Sequence, residues 1–122
     1  MPTYTFIATA NAISYCGAKP WLVDICPKDW NLNFEKLKKI LQKETYKDHK
    51  GYLRRKKTDQ KVSAMIPVFS MGLPIDFRQA YQISKDYGLK LIVDAAAGIG
   101  AKINKFPFGN YKMDCATMSF NG

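Results

Sequence analysis

The chain has 122 residues and is 47% hydrophobic, which suits one small globular domain with a modest core. No apolar run approaches the ~20 residues of a membrane span, and residues 1–7 lack the basic residues of a secretory signal, so we expect no membrane partner. The net charge of +9 is concentrated in residues 36–61, where eleven basic and three acidic side chains give +8. Because such a local run is most often a solvated surface, it argues against a nucleic-acid partner.

The first third of the chain predicts alternating strands and helices. Thr5 or Thr9 is the expected cap of the first helix and Asn33 of the second, since short polar side chains accept hydrogen bonds from unpaired helical N–H groups. The predicted elements are strands at 3–7 and 21–23 and helices at 8–16 and 34–42.

Residues 44–60 have no clear periodicity and are polar and basic. Tyr52 and Leu53, beside Gly51, are positioned to seed a small hairpin. Because the segment lacks an apolar stripe, we expect a basic surface excursion that is peripheral to the core.

The rest of the chain continues the alternation. Asp76 is the expected cap of the next helix and Gly88 its end. Alternating strands and helices predict an α/β fold, with a mostly parallel sheet flanked by helices. The first residues already belong to a predicted element, and the last run into what should be a loop, so we expect a piece of a larger domain. The predicted elements are strands at 62–68, 90–93 and 115–120, a helix at 77–87 and a hairpin at 102–111.

Asp94 follows the apolar run 90–93, which has no face alternation and therefore predicts a strand buried on both sides. The carboxyl end of such a strand is where open α/β sheets bind ligands. Ala95, Ala96 and Ala97 leave room there. Two interpretations stay open at this point, because Asp94 either binds a ligand or merely caps the following turn.

The cysteines and the histidine argue against several kinds of catalytic and metal-binding site. Cys16, Cys26 and Cys115 are widely spaced, which indicates reduced thiols of a cytoplasmic protein rather than disulfides or a zinc site. His49 is the single histidine and lies in a charged stretch, which argues against a Ser-His-Asp catalytic triad or a histidine-rich metal site.

Several stretches, taken in order, resemble the DegT/StrS-type sugar aminotransferases, which use pyridoxal phosphate (PLP). The resemblance implies the aspartate-aminotransferase fold, with residues 1–122 forming part of the PLP-binding large domain of fold-type I transferases. The stretches are 5–13 (TFIATANAI), 17–20 (GAKP), 23–24 (VD), 66–68 (IPV), 72–76 (GLPID), 87–90 (YGLK), 94–96 (DAA) and 119–120 (SF).

The resemblance also implies site residues. Asp94 matches the aspartate that pairs with the pyridine nitrogen of PLP, Phe6 matches the aromatic residue stacked on the ring, and Ser119 matches a serine that binds the phosphate. Ala97 stands beside the expected cofactor where the family commonly has Gln, Glu or His, and Phe69 stands where His is common. The matching Schiff-base lysine is expected two positions past Gly122, so no catalytic residue is assigned within the chain.

The implied activity is transfer of an amino group from glutamate to a nucleotide-linked keto-deoxy sugar, for surface polysaccharides such as lipopolysaccharide. The parent enzyme is expected to be a cytoplasmic homodimer, and this fragment is expected to be inactive alone. Two alternatives remain: a binding module that uses residues 36–61 on an acidic partner, and an α/β enzyme in which Asp94 holds Mg²⁺.

Overall fold

A computed structural model describes residues 1–120 of the chain. Within these residues it has three α-helices and seven short strands, and 3₁₀ turns lie at Ser70–Gly72 and Phe108–Asn110. In chain order the elements are helix α1 (Ile7–Tyr15), helix α2 (Phe34–Glu44), strands β1 (Thr45–Lys47), β2 (Leu53–Arg55) and β3 (Ala64–Met65), helix α3 (Phe77–Tyr87), and strands β4 (Lys90–Asp94), β5 (Lys102–Ile103), β6 (Phe106–Pro107) and β7 (Cys115–Thr117).

The central sheet is parallel, with strand order β3-β4-β7. Met65 pairs with Leu91 on one side of β4, and Asp94 pairs with Thr117 on the other. A single parallel bridge between Val68 and Asp94 extends the contact to the end of β4. Helix α3 joins β3 to β4, whereas β5, β6 and a 3₁₀ turn lie between β4 and β7. A parallel sheet with accompanying helices makes this an α/β fold, which confirms the predicted class.

Helices α2 and α3 form where the sequence supplies both caps and an apolar stripe. The Asn33 side chain accepts a hydrogen bond from the backbone N–H of Lys36 at 2.9 Å, and the Asp76 side chain accepts one from Gln79 at 3.0 Å. Gly88 ends α3 in the left-handed region, with φ of 66°, where glycine carries no steric cost. The capping predictions for both helices are therefore confirmed.

The core lies between these helices and one face of the sheet. Leu91 and Val93 of β4 are fully buried, whereas Ile92 on the opposite face is half-buried. The strand was predicted to be buried on both faces. In the structure it is fully buried on one face and half-buried on the other. Buried apolar residues of the helices that pack into this core are Phe34, Leu37 and Leu41 of α2 and Phe77, Ala80 and Ile83 of α3.

The prediction of a strand at residues 3–7 is wrong, because α1 already begins at Ile7 and Pro2 alone makes a parallel bridge, to Val23. That bridge is also all that forms of the strand predicted at 21–23. Capping of α1 by Thr5 or Thr9 is wrong as well, since the N-cap is Phe6 and no side chain bonds there. High β propensity makes a strand only where a neighbour is available for pairing.

Two other strands are shorter than predicted. The strand predicted at 62–68 is confined to Ala64–Met65, because Pro67 lacks an N–H to donate, although the bridge at Val68 resumes the pairing. The strand predicted at 115–120 ends at Thr117. The hairpin predicted at 102–111 forms between β5 and β6, and its tight turn places Asn104 and Lys105 at φ of 50° and 71°.

The basic excursion forms the predicted hairpin, in which Thr45–Lys47 pairs with Leu53–Arg55. Its strictly peripheral placement is wrong, because Leu53 is 4% exposed and belongs to the core cluster. Thr45 is also buried and donates its hydroxyl to the Leu41 carbonyl. The Arg55 guanidinium lies 4.0 Å from the ring centre of Trp21. The hairpin therefore contacts the rest of the domain through Leu53, Thr45 and Arg55.

No helix within residues 1–120 is long and apolar enough to cross a membrane.

Candidate cofactor site

Asp94 ends β4 at the carboxyl edge of the parallel sheet, where its backbone is held from both sides. Its N–H donates to the Pro67 carbonyl at 2.9 Å, and its carbonyl accepts from the Phe69 N–H at 2.8 Å. Ala95 then donates to the Thr117 carbonyl of the neighbouring strand. The position of the Asp94 backbone is therefore fixed by the sheet itself.

The two oxygens of the Asp94 carboxylate have different partners. Oδ1 accepts the N–H of Ala96 at 3.1 Å, which is the local turn cap that the sequence left open. Oδ2 accepts the hydroxyl of Thr9 at 2.5 Å, from a residue 85 positions earlier in the chain. The half-buried side chain therefore caps its own turn and also makes a long-range contact.

The loop after β4 packs closely against neighbouring residues at Gly98. A Cβ added at Gly98 would lie 2.8 Å from the Phe69 ring, and one added at Gly72 would lie 2.9 Å from the Ala97 carbonyl oxygen. The loops that follow β3 and β4 therefore touch through backbone and small residues. Ala96 and Ala97 are exposed beside them, so the space next to the carboxylate is not filled by a side chain of this loop.

Ser119 lies two residues beyond β7, the strand that neighbours β4. Its N–H faces the Ala96 carbonyl at 3.4 Å, which ties the ends of the two strands together. Ser119, Asp94 and Thr9 line the same cavity, of about 1120 Å³, on the open face of the sheet. Two of the predicted site residues are thus brought to one place.

The other two predicted site residues, Phe6 and Ala97, do not line this cavity. Phe6 lies at the start of α1 with 80% of its surface exposed, and it does not line the cavity. Ala97 is exposed in the loop that follows Asp94. Their roles toward the cofactor stay predictions.

Phe69, which stands where the family commonly has His, is a core residue. It is 1% exposed, and its ring centre lies 5.1 Å from that of Phe108 and 6.0 Å from that of Phe77 in edge-to-face contacts. Phe69 therefore acts on the site through its backbone bond to Asp94 and through packing.

Asn31 was not singled out in the sequence, yet it joins two loops near the site. Its side-chain oxygen accepts the Ser70 N–H at 3.0 Å, and its amide nitrogen lies 3.3 Å from the Pro74 carbonyl. Asn31 is 3% exposed, so these bonds compensate the burial of its amide. The Ser70 hydroxyl donates to the Trp30 carbonyl at 2.7 Å and completes the connection.

Charges around the site are sparse. Among residues 1–120, five ion pairs form and none involves Asp94. At the opposite end of β4, the Lys90 ammonium bonds to Asp114, which lowers the pKa of that carboxyl below its usual value of 3.8 and raises the pKa of Lys90. Within residues 1–120, the Asp94 carboxylate therefore makes hydrogen bonds, to Thr9 and Ala96, but no ion pair.

The two alternatives gain no support from the described residues. Residues 1–120 hold no group of three or more His, Cys, Asp or Glu side chains that could bind a metal ion. In the basic hairpin, Arg54 is paired with Asp48 and Asp59, and Arg55 with Glu44. These two arginines thus have their ion-pair partners within the segment itself.

Comparison with known proteins identifies the family. The model of the DegT/DnrJ/EryC1/StrS aminotransferase family matches residues 1–122. The chain belongs to this family. GDP-perosamine synthase from Caulobacter vibrioides is 33% identical over 122 residues, which are all of this chain and 28% of that protein. The predicted family is confirmed.

Solved structures agree. The crystal structure of DesI, determined in the presence of its TDP-sugar product, matches 99% of this chain and 26% of that chain with a TM-score of 0.78 and 26% identity. NtdA from Bacillus subtilis, solved with the cofactor PMP bound, matches 99% of this chain and 23% of that chain with a TM-score of 0.75 and 30% identity. The chain therefore spans about a quarter of the length of these relatives.

Proposed function

We propose that the chain is part of the large domain of a PLP-dependent aminotransferase that acts on nucleotide-linked sugars. The observation that carries this proposal is the Asp94 carboxylate at the carboxyl end of β4, in a chain whose whole length matches the family. The protein that contains these 122 residues in its complete reading frame is called the full-length protein below.

The residues present fit PLP. Asp94 has no cationic partner within residues 1–120, and each of its oxygens accepts one hydrogen bond and keeps further acceptor capacity. A carboxylate in this state suits the protonated ring nitrogen of a pyridine. The alanines that follow it leave space for a flat ring.

PLP, when bound, supplies an electron sink for the removal of a proton from the amino acid. Asp94 would hold the proton on the ring nitrogen, because an ionised carboxylate stabilises that charge. Ser119, at the end of the adjacent strand, would donate its hydroxyl to the phosphate, and Phe6 and Ala97 would flank the ring. A lysine two positions past Gly122 would hold the cofactor covalently.

The names of relatives support the substrate class. One relative is a synthase of GDP-perosamine, and another was solved with its TDP-sugar product. We therefore propose a nucleotide-linked keto-deoxy sugar as amino acceptor and glutamate as donor, in the synthesis of a surface polysaccharide. We further propose that the full-length protein is a cytoplasmic homodimer.

Replacing Asp94 with Asn in the full-length protein tests the proposal. The amide keeps the size of the side chain but cannot neutralise a ring cation, and a hydrogen bond to a charged group contributes about 1.5–3 kcal/mol. Turnover with glutamate and a nucleotide-linked keto sugar should fall by roughly 10- to 150-fold. Asp86→Asn, an exposed change on α3, is the control and should leave turnover unchanged. Near-normal turnover of Asp94→Asn would contradict the assignment.

A further inference from the structure

Helix α1 is attached to the domain in an unusual way. Thr9 is the one residue of this nine-residue helix that is buried, whereas Ile7 is 64% exposed and Tyr15 is 88% exposed. A surface helix ordinarily buries an apolar stripe. Here the buried side chain carries a hydroxyl, so the reason for its burial lies in what the hydroxyl binds.

The Thr9 hydroxyl has a fixed direction of donation. An ionised Asp94 can only accept, so the single O–H of Thr9 is given to Oδ2 at 2.5 Å. The Thr5 hydroxyl lies 3.4 Å from that of Thr9, and with the Thr9 proton already committed, Thr5 must be the donor in that contact. The three residues therefore form a directed chain, in which each bond strengthens the next.

The Asp94 carboxylate is consequently held at both oxygens. The Ala96 N–H fixes Oδ1 through the local turn, and Thr9 fixes Oδ2 from a different element. A carboxylate held by the turn alone keeps the freedom to rotate about its last torsion, which is broad for Asp. The second contact restricts that freedom, on a carboxylate that lines the cavity.

We propose that Thr9 is a positioning residue, which orients the Asp94 carboxylate for a donor in the cavity and is itself supported by Thr5. This inference rests on the proposed function, because the donor is the ring nitrogen of PLP. Preorganisation of this kind acts on binding, since the free carboxylate then has less orientational entropy to lose.

The test measures binding of PLP to the full-length apoprotein, which separates positioning from turnover. Thr9→Val keeps the branched shape and removes the hydroxyl, whereas Thr9→Ser keeps the hydroxyl. We expect Thr9→Val to weaken PLP binding about tenfold, the loss of one hydrogen bond to an ionised group, and to alter the absorbance–pH profile of the bound cofactor. Thr9→Ser should stay within about twofold of the wild type. Thr3→Val, at an exposed threonine, is the matched control and should change neither quantity.

The possible results of this test distinguish a failure of the proposed role of Thr9 from a failure of the proposed function. Wild-type protein that does not bind PLP would refute the proposed function, whereas equal binding and equal spectra for wild type and Thr9→Val would refute the role of Thr9 alone. Equal losses in Thr9→Val and Thr9→Ser would also refute it, because the hydroxyl would then not be the determinant. If Thr9→Val does not fold, Thr5→Val decides: it should weaken binding by about twofold, and unchanged binding would overturn the directed chain.

Discussion

Leu53 provides a sharp test of how the basic hairpin is attached. It lies on β2 and is 4% exposed within the core, although the sequence around it is polar. Leu53→Ala removes about three carbons, which corresponds to roughly 2.4 kcal/mol at ~0.8 kcal/mol per buried methylene. A residual cavity adds to this value, so we expect the free energy of unfolding to fall by about 3 kcal/mol.

Leu22 is the matched control, because it is the same residue type with 52% of its surface exposed. Leu22→Ala loses about half of the transfer free energy and leaves no closed cavity, so about 1 kcal/mol is expected. Urea denaturation of the full-length protein, compared for both variants in one background, measures the difference of about 2 kcal/mol. Replacing residues 44–60 by a short Gly-Ser turn removes the same contact and should destabilise at least as much as Leu53→Ala.

If Leu53→Ala shifts the urea midpoint no further than Leu22→Ala, the hairpin does not contribute to the core in solution. The same would follow if the Gly-Ser replacement left the midpoint unchanged. Either result would restore the expectation from sequence that this segment is peripheral, and it would contradict the packing of β2.

Two further predictions use the same background. Gly72→Ala should lower stability more than Gly51→Ala, because both glycines have φ near +78° but only a Cβ at Gly72 meets the Ala97 oxygen, at 2.9 Å; equal urea midpoints would refute this. The pKa of Asp114 is lowered by the hydrogen bond from Lys90, so its stabilisation is present above pH 3.8 and lost as pH falls through the folded pKa. Asp114→Asn should therefore reduce the loss of unfolding free energy as the pH falls below 3.8. The same loss in the variant and the wild type would contradict this role of Asp114.

The sequence predicted those elements whose determinants are local. Helix α3 has the predicted bounds because Asp76 and Gly88 mark its two ends, and α2 begins at the residue after Asn33 as expected. Strand β4 contains the apolar run 91–93 and was equally predictable from the sequence. In each case the signal lies within a few residues of the boundary that it sets.

Elements that depend on a partner were not predictable in the same way. Residues 3–7 have the composition of a strand, but a strand forms only where a neighbour offers a free edge. Leu53 had no apolar companions at a regular spacing, so its burial follows from where the hairpin docks. Asn31 likewise lies in a turn whose polar composition gives no indication that its amide joins a second loop, at Ser70.

At the Asp94 site, too, one feature follows from the local sequence and another depends on a distant residue. Its place at the carboxyl end of a buried strand follows from the pattern of residues 90–94, and its backbone is held there by the bonds to Pro67 and Phe69. The orientation of its side chain depends on Thr9, which is 85 residues away and which local rules assigned to helix capping. Binding a planar cofactor needs both the place and the orientation, and the second is supplied by a helix whose own buried contact is with this carboxylate. A change in α1 that leaves every residue of the strand intact should therefore still be felt at Asp94.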